Sequence, residues 1–314
     1  MKSLKYFFLL YFNLFVSHAV FCQKETIFND FVEIKKDTLG KQYHFFVSKY
    51  AVSVQDYQDY LKFLGLKLPE PPPDYGWYNK NLPLAIISYT DFLSYTYWLT
   101  DFYRVKFRAL TNQEWTIAAA NQENPMQKLS LSQPAEVNFI RPNKYGISGM
   151  NGNVWEWTST LKDNEYNIIR GGSFMESMHP DSLNVYKTSA IHASLKLTDV
   201  GFRVAMDVKE MKKLRFANKV EKLLQKLFPE YTNIGVEPDA LYLNDGEISW
   251  KQKEDIVKID YKEMKLNFCC VEYNSDIKNK IESKTIPFYF AEEHINIVKE
   301  LEKLINNRDL TIFE

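Results

Sequence analysis

The chain has 314 residues, with 39 basic and 40 acidic side chains and therefore a net charge close to zero. This balance excludes the strong overall positive charge that draws a protein to nucleic acid or to an anionic membrane. Charged residues make up 25% of the chain and hydrophobic residues 45%, which excludes wholesale disorder and permits a packed core. A chain of this length can form one large domain or two ordinary ones.

The first 22 residues have the pattern of a secretory signal peptide. Two lysines precede an apolar run from Tyr6 to Val16, which is too short and too interrupted for a membrane span. We therefore predict an exported protein, periplasmic, at the cell surface or secreted, with no transmembrane span once residues 1–22 are removed. The alternatives are a buried N-terminal helix, and lipid attachment at Cys22, which the large Phe21 before it disfavours.

Cysteines are few in this sequence. The three that occur are Cys22, Cys269 and Cys270, so removal of the signal peptide leaves only an adjacent pair. A disulfide between neighbouring cysteines is strained. We therefore expect no disulfide framework, even in an exported protein. No Cys or His spacing matches that of a zinc site.

Three helices are predicted between residues 43 and 206. The first begins after an N-cap at Ser53 and ends near Leu64, and the second covers Tyr89–Phe102. The third, Asn112 to about Ala120, follows the sequence T-N-Q-E, which is typical of a capping box. The short apolar segment Leu84–Ser88 is predicted to be a strand.

The sequence changes character after Met206. A predicted helix, Lys209–Phe228, has apolar residues on one side and seven basic residues elsewhere. Four short strands are predicted next, near Ala240–Leu243, Asp255–Tyr261, Lys265–Glu272 and Thr285–Phe290. A last helix, Ala291–Asn306, follows. We therefore divide the mature chain into residues 23–208 and a small α+β domain, 209–314, of unknown type. The basic side of the first of these helices is interpreted as solvated surface; the alternative is a face that binds a membrane surface or a polyanion.

Five stretches of the first domain occur in the order of a known family. They are Y-A-V-S-V-Q-D-Y from Tyr50; the segment 83–99; R-A-L-T-N-Q-E-W from Arg108; N-K-Y-G from Asn143 with G-N-V-W-E-W from Gly152; and R-G-G-S-F from Arg170 with G-F-R from Gly201. Together they resemble the formylglycine-generating, or sulfatase-modifying factor, domain family. The resemblance implies an irregular α+β fold related to that of the C-type lectins.

The resemblance also implies a metal site. In the family the G-N-V-W-E-W segment wraps a calcium ion, which prefers hard oxygen ligands. Carried over to this chain, the ligands would be the backbone carbonyls of Gly152 and Val154 and the side chain of Glu156. The family usually has an Asp or Asn three residues before this glycine, where Gly149 provides no side-chain oxygen.

The W-E-W triplet has a second interpretation. Alternation along an extended segment places Glu156 on the opposite face from Trp155 and Trp157. The two indoles would then anchor the segment while the carboxylate faces a partner. That partner is either the calcium ion or an arginine, and a buried ion pair with Arg170 or Arg203 is the alternative to the metal.

The redox chemistry of the family needs residues that this chain lacks. Family members that oxidise cysteine bind copper(I) with two of their own cysteines shortly before G-F-R, because a soft ion prefers thiolate ligands. The matching region, Val185–Val200, contains no cysteine, and the hydroxyls of Ser189 and Ser194 cannot replace thiolates. We therefore expect no copper, no catalytic residue and no cofactor-binding residue of the family type.

Two functional interpretations follow. The first is a non-catalytic, exported binding or scaffold protein, a pseudoenzyme with a protein or glycan partner in the cell envelope and no nucleic-acid partner; some proteins with this domain belong to secretion and gliding-motility machines. The second is an active metal-dependent oxidoreductase of the family that uses a non-standard site. A hydrolase built from Ser173, His179 or His192, and Asp199 lacks a G-x-S-x-G elbow.

Overall fold

Contacts within the chain divide the computed structural model into two units, Asn29–Val208 and a second unit that includes Lys209–Glu314. Each unit contains both helices and strands, so the chain is an α+β protein. The predicted signal peptide with Cys22, and His179, lie outside the described residues. The structure describes residues 30–38, 40–67, 79–119, 133–176, 186–227, 241–244, 247–252, 255–260, 265–271, 281–287, 292–309 and 311.

The described residues of the first unit form two sheets and three α-helices. In chain order its elements are β1 (Phe31–Thr38), β2 (Lys41–Ser48), α1 (Val54–Phe63), α2 (Tyr89–Tyr103), α3 (Asn112–Ala119), β3 (Trp155–Leu161), β4 (Tyr166–Arg170), β5 (Thr188–His192), β6 (Val200–Gly201) and β7 (Ala205–Asp207). One sheet has the order β1-β2-β7 and the other the order β5-β4-β3-β6. The first sheet therefore pairs the first strands of the unit with its last.

The short strand β6 is the parallel member of the second sheet. It pairs with β3 so that Trp155 lies opposite Val200 and Glu156 opposite Gly201. Gly201 is needed here, because a Cβ at this position would lie 2.2 Å from the carbonyl oxygen of Leu84. The absence of a side chain thus lets the G-F-R segment lie against the backbone of Leu84 while it pairs with β3.

All three helices of the first unit begin with a capping box. Ser53 before α1 and Ser88 before α2 each accept a hydrogen bond from the amide of the aspartate three residues later, whose carboxylate accepts from the serine amide. Before α3, Thr111 and Glu114 make the same reciprocal bonds, at 3.1 and 2.9 Å. The caps predicted at Ser53 and Thr111 are confirmed.

The predicted strand Leu84–Ser88 is wrong. The amide of Leu84 donates to the carbonyl of Val52, whereas the amide of Ile86 donates to the carbonyl of Leu197. Ile86 also has a φ of +61°, outside the extended region. The segment is apolar because it is buried, but its hydrogen bonds go to two different segments instead of one neighbouring strand.

Aromatic side chains fill much of the core of the first unit. Phe92 of α2 stacks on Phe202 with ring centroids 4.3 Å apart. A second buried group lies around Trp115 of α3 and includes Phe45 of β2 and Met150. The aromatic-rich composition is thus used largely for packing.

Where the structure describes the second unit, it contains an antiparallel sheet and two α-helices. Its elements are α4 (Val208–Leu227), whose first residue belongs to the first unit, β8 (Leu241–Asn244), β9 (Glu247–Gln252), β10 (Asp255–Asp260), β11 (Lys265–Val271), β12 (Ile281–Pro287) and α5 (Glu292–Asn306). The strands follow one another across the sheet in chain order. None of the helices that the structure describes has the length and apolar character of a membrane span.

Candidate functional site

The G-N-V-W-E-W motif begins in a tight, buried turn. Gly152 has a φ of +102° and Asn153 a φ of +69°, both in the left-handed region. The Asn153 side chain accepts from the amide of Ala135 at 2.9 Å and donates to its carbonyl at 3.1 Å. The amide of Gly152 donates to the carbonyl of Gly171 at 2.8 Å. These bonds fix the turn that delivers the W-E-W triplet into β3.

The carboxylate of Glu156 is completely buried and is paired with Arg203. Arg203 Nε donates to Glu156 Oε1 and Oε2 at 3.0 and 2.8 Å, and Arg203 Nη2 donates to Oε1 at 2.7 Å. Trp115 Nε1 donates to Oε2 at 2.7 Å. Both carboxylate oxygens therefore accept two hydrogen bonds each, which satisfies the buried charge.

The remaining donors of Arg203 bind two further segments of the backbone. Its Nη1 donates to the carbonyls of Ser48 and Lys49 at 3.0 and 3.2 Å. Its Nη2 also donates to the carbonyl of Ser148 at 2.9 Å. Arg203 thus joins the end of β2, the loop before the N-G-N turn, and β3. A side chain with this many internal partners stabilises the fold and is withheld from an external ligand.

Trp115 of α3 is the second partner of Glu156 and a packing centre for the R-G-G-S-F motif. The Arg170 guanidinium lies over its ring, 5.1 Å from the centroid, and Arg170 Nη2 donates to Thr116 at 2.9 Å. Burial lowers the pKa of Arg170. Gly171 has a φ of +105°, and a Cβ there would lie 2.9 Å from the Met150 carbonyl and 3.1 Å from the Trp115 ring.

The two tryptophans of the W-E-W triplet are buried, as the sequence predicts. Trp157 donates through Nε1 to the carbonyl of Ile87 at 3.1 Å and packs against Tyr89 of α2. Glu156 instead faces Trp115 of α3. Successive side chains of β3 therefore contact different helices. One indole hydrogen bond joins β3 to α3 through Trp115, and another joins β3 to Ile87, two residues before α2.

The calcium site at Gly152, Val154 and Glu156 stays a prediction, and the arrangement of Glu156 does not fit it. The carboxylate that would bind the ion is filled by Arg203 and Trp115, and a guanidinium at this distance repels a cation. Asn151 Oδ1, in the same turn, is buried and has no hydrogen-bond partner among the described residues. The ion pair with Arg203 is thus the alternative that the geometry favours, and Arg170 lies on Trp115 instead.

The hydrolase arrangement is not assembled in the described part of the chain. Ser173 Oγ is buried and has no hydrogen-bond partner among the described residues. His192 Nδ1 lies 2.7 Å from Ser194 Oγ, at a partly exposed position. Within the described ranges, no three His, Cys, Asp or Glu side chains lie close enough together to hold a metal ion.

The motif residues of this network lie within a domain of a known family. The profile of the sulfatase-modifying factor enzyme 1-like domain matches residues 39–208, more than half of the chain. The chain belongs to this family. The first unit is therefore a sulfatase-modifying factor-like unit with the C-type-lectin-like fold, which confirms the fold class predicted from the sequence. The partner of Glu156 on α3, Trp115, was not predicted, although R-A-L-T-N-Q-E-W was among the motifs that carried the resemblance.

Several solved structures are similar to this sulfatase-modifying factor-like chain. PvdO from Pseudomonas aeruginosa is 18% identical, with a TM-score of 0.46, over 57% of this chain and 91% of PvdO. CarF is 16% identical, with a TM-score of 0.44, over 56% and 93% of the two chains. The variable protein 1 of Treponema denticola is 14% identical, with a TM-score of 0.43, over 56% and 91%. No curated protein matches the chain.

Proposed function

We propose that this protein is an exported, non-catalytic binding or scaffold protein whose sulfatase-modifying factor-like unit presents a rigid surface to a protein or glycan partner in the cell envelope. One observation carries the proposal: the sequence contains no cysteine between Cys22 and Cys269. The unit therefore has no thiolate with which to hold copper(I).

The charged residues of the motifs are hydrogen-bonded to one another within the protein, which supports the same function. Glu156 and Arg203 are each about 1% exposed and bind one another. Arg108 is bound to Glu114 through two hydrogen bonds of 2.8 Å. Because these groups are satisfied within the protein, their free energy of interaction stabilises the fold. A general acid, a base or a metal ligand instead needs hydrogen-bonding capacity that faces the substrate.

The decisive measurement combines metal analysis with oxygen uptake. We expect purified protein to contain no stoichiometric copper or iron, and to consume no oxygen when a cysteine-containing peptide is added. Copper or iron near one equivalent, together with peptide-dependent oxygen uptake, would establish an active oxidoreductase instead. The double substitution Cys269→Ser/Cys270→Ser serves as the control, because copper lost on this change is bound by the adjacent pair and not by the first unit.

The export part of the proposal has its own measurement. The intact mass of protein isolated from the native cell envelope should lack about the first 22 residues, as expected for a cleaved signal peptide. Full-length protein recovered from the cytoplasm would contradict export without affecting the metal result.

A further inference from the structure

Basic side chains form a single row along the exposed side of α4. Successive members are three or four residues apart, the spacing that keeps side chains on one side of a helix. The exposed members of this basic row are Lys209, Lys212, Arg215, Lys219, Lys222 and Lys226. At a rise of 1.5 Å per residue, the row is about 26 Å long.

The basic row concentrates positive charge in a chain that has little overall. Residues 209–226 contain seven basic and two acidic residues, a net charge of +5, whereas the whole chain has a net charge of −1. The two acidic residues, Glu210 and Glu221, are buried at 7% and 4% exposure. Lys212 lies 3.4 Å from Asp309 in an exposed ion pair, which is a weak interaction. The solvent-facing side of the helix is therefore positively charged along its length.

The apolar side of α4 is occupied by the fold. Its large apolar residues are buried, namely Met211, Leu214, Phe216, Val220, Leu223, Leu224 and Leu227. An amphipathic helix that inserts into a bilayer needs its apolar side for the acyl chains. This helix can therefore contact a surface only through its charges, without insertion.

We propose that the basic row docks the protein on the headgroups of an anionic lipid bilayer. Five of the six members are lysines, whose compact ammonium groups act as point charges and lack the planar fork with which arginine recognises individual phosphates. The row contains no aromatic side chain on which a base or a sugar ring could stack. A line of exposed lysines fits a dense, diffusely charged surface of lipid headgroups, where each cation adds to the attraction.

The experiment measures partition of the full chain onto large unilamellar vesicles. One set contains 70% phosphatidylcholine and 30% phosphatidylglycerol, and the other contains phosphatidylcholine alone. The ratio of the two partition coefficients isolates the binding that depends on lipid charge, because an apolar N-terminal segment would contribute equally to both coefficients. We expect a ratio well above one at low ionic strength, and a steep fall on raising the salt to 0.5 M.

Two matched double substitutions locate the binding surface. Lys219→Gln/Lys226→Gln removes two members of the basic row, and Lys36→Gln/Lys80→Gln removes two exposed lysines of the first unit, with the same change in net charge. We expect the first variant to lower the ratio about 30-fold and the second to leave it nearly unchanged. Equal losses in both variants, or a ratio near one for the parent protein, would overturn the proposal. Tighter binding to duplex DNA than to the anionic vesicles, lost in the same variant, would assign the row to a polyanion instead.

Discussion

Two arginine–glutamate pairs of the first unit have the same chemistry and opposite surroundings. Arg203 and Glu156 are both about 1% exposed, whereas Arg108 is 23% and Glu114 12% exposed. Arg108 also reaches the more exposed Asp207 at 2.8 Å. In each pair an arginine donates two or more hydrogen bonds to one carboxylate, so the difference between them is the access of water.

The comparison shows how the same motif chemistry serves two purposes. In the Arg203–Glu156 pair, removal of one residue leaves the other charge buried without a partner. This loss of unfolding free energy is far larger than the net stabilisation that the intact pair provides. Burial alone would lower the pKa of Arg108, but the hydrogen bonds that it donates to Glu114 and Asp207, together with their negative charges, outweigh burial and raise the pKa. The Arg108–Glu114 pair thus stabilises the fold, but water can solvate either charge if the other is removed, and salt weakens their attraction.

The largest expected effect comes from Arg203→Ala. This change leaves the Glu156 carboxylate buried with Trp115 as its remaining side-chain donor, and should lower the free energy of unfolding by about 3–5 kcal/mol. Urea denaturation followed by tryptophan fluorescence measures it, since all tryptophans except Trp250 lie between residues 29 and 208. The double substitution Glu156→Leu/Arg203→Met should recover most of the loss. If the single and double variants were equally unstable, the loss would come from packing and not from an unpaired charge.

A smaller effect is expected for Trp115→Phe. The change removes the indole N–H that donates to Glu156 and should cost about 1.5–3 kcal/mol for the bond to a charged group, besides the lost ring area. Trp98→Phe is a matched control, because Trp98 Nε1 has no hydrogen-bond partner among the described residues. The difference between the two variants measures the bond to Glu156, and equal unfolding free energies would rule out a contribution from it.

The smallest effect is expected for Arg108→Ala. With water able to solvate Glu114 and Asp207, the loss should be about 1 kcal/mol at low ionic strength and should shrink in 1 M NaCl. The loss caused by Arg203→Ala should stay nearly constant between these salt concentrations. A salt-independent loss at Arg108 would place it in the same class as Arg203 and remove the contrast between the two pairs.

The local features of the fold were predictable from the sequence. The helix predicted at Tyr89–Phe102 is Tyr89–Tyr103, and the one predicted at Lys209–Phe228 is Val208–Leu227. Caps and helical periodicity depend on residues within a few positions of each other. In the second unit, β9 (Glu247–Gln252) was not predicted, and the last strand was placed at 285–290 but is Ile281–Pro287. The partners of β9 are its neighbours in the chain, β8 and β10, and the two residues between β8 and β9 are D-G, a dipeptide typical of hairpins. A local signal for β9 was therefore present in the sequence.

The candidate site was predictable only as a set of alternatives. The motif sequence predicted that Glu156 binds either a calcium ion or one of two arginines, Arg170 or Arg203. The choice between them depends on the parallel pairing of β3 with β6, which brings Gly201 opposite Glu156. Arg170, in the neighbouring strand β4, is also opposite Glu156, but its side chain lies over the ring of Trp115. Strand register and side-chain direction together decide the contact, and neither follows from spacing.

The parallel pairing of β3 with β6 also bears on the order in which the protein is synthesised. Glu156 and Arg203 are 47 residues apart, and Arg203 contacts Ser48, which leaves the ribosome 155 residues earlier. A nascent chain that ends before residue 203 therefore contains Glu156 without the arginine that neutralises it in the folded unit. Because contacts between residues so far apart in the sequence form slowly, we expect the first unit to fold late, and only when its whole chain is available. Any premature stop within its last few residues should yield a product for proteolysis and not a shortened domain.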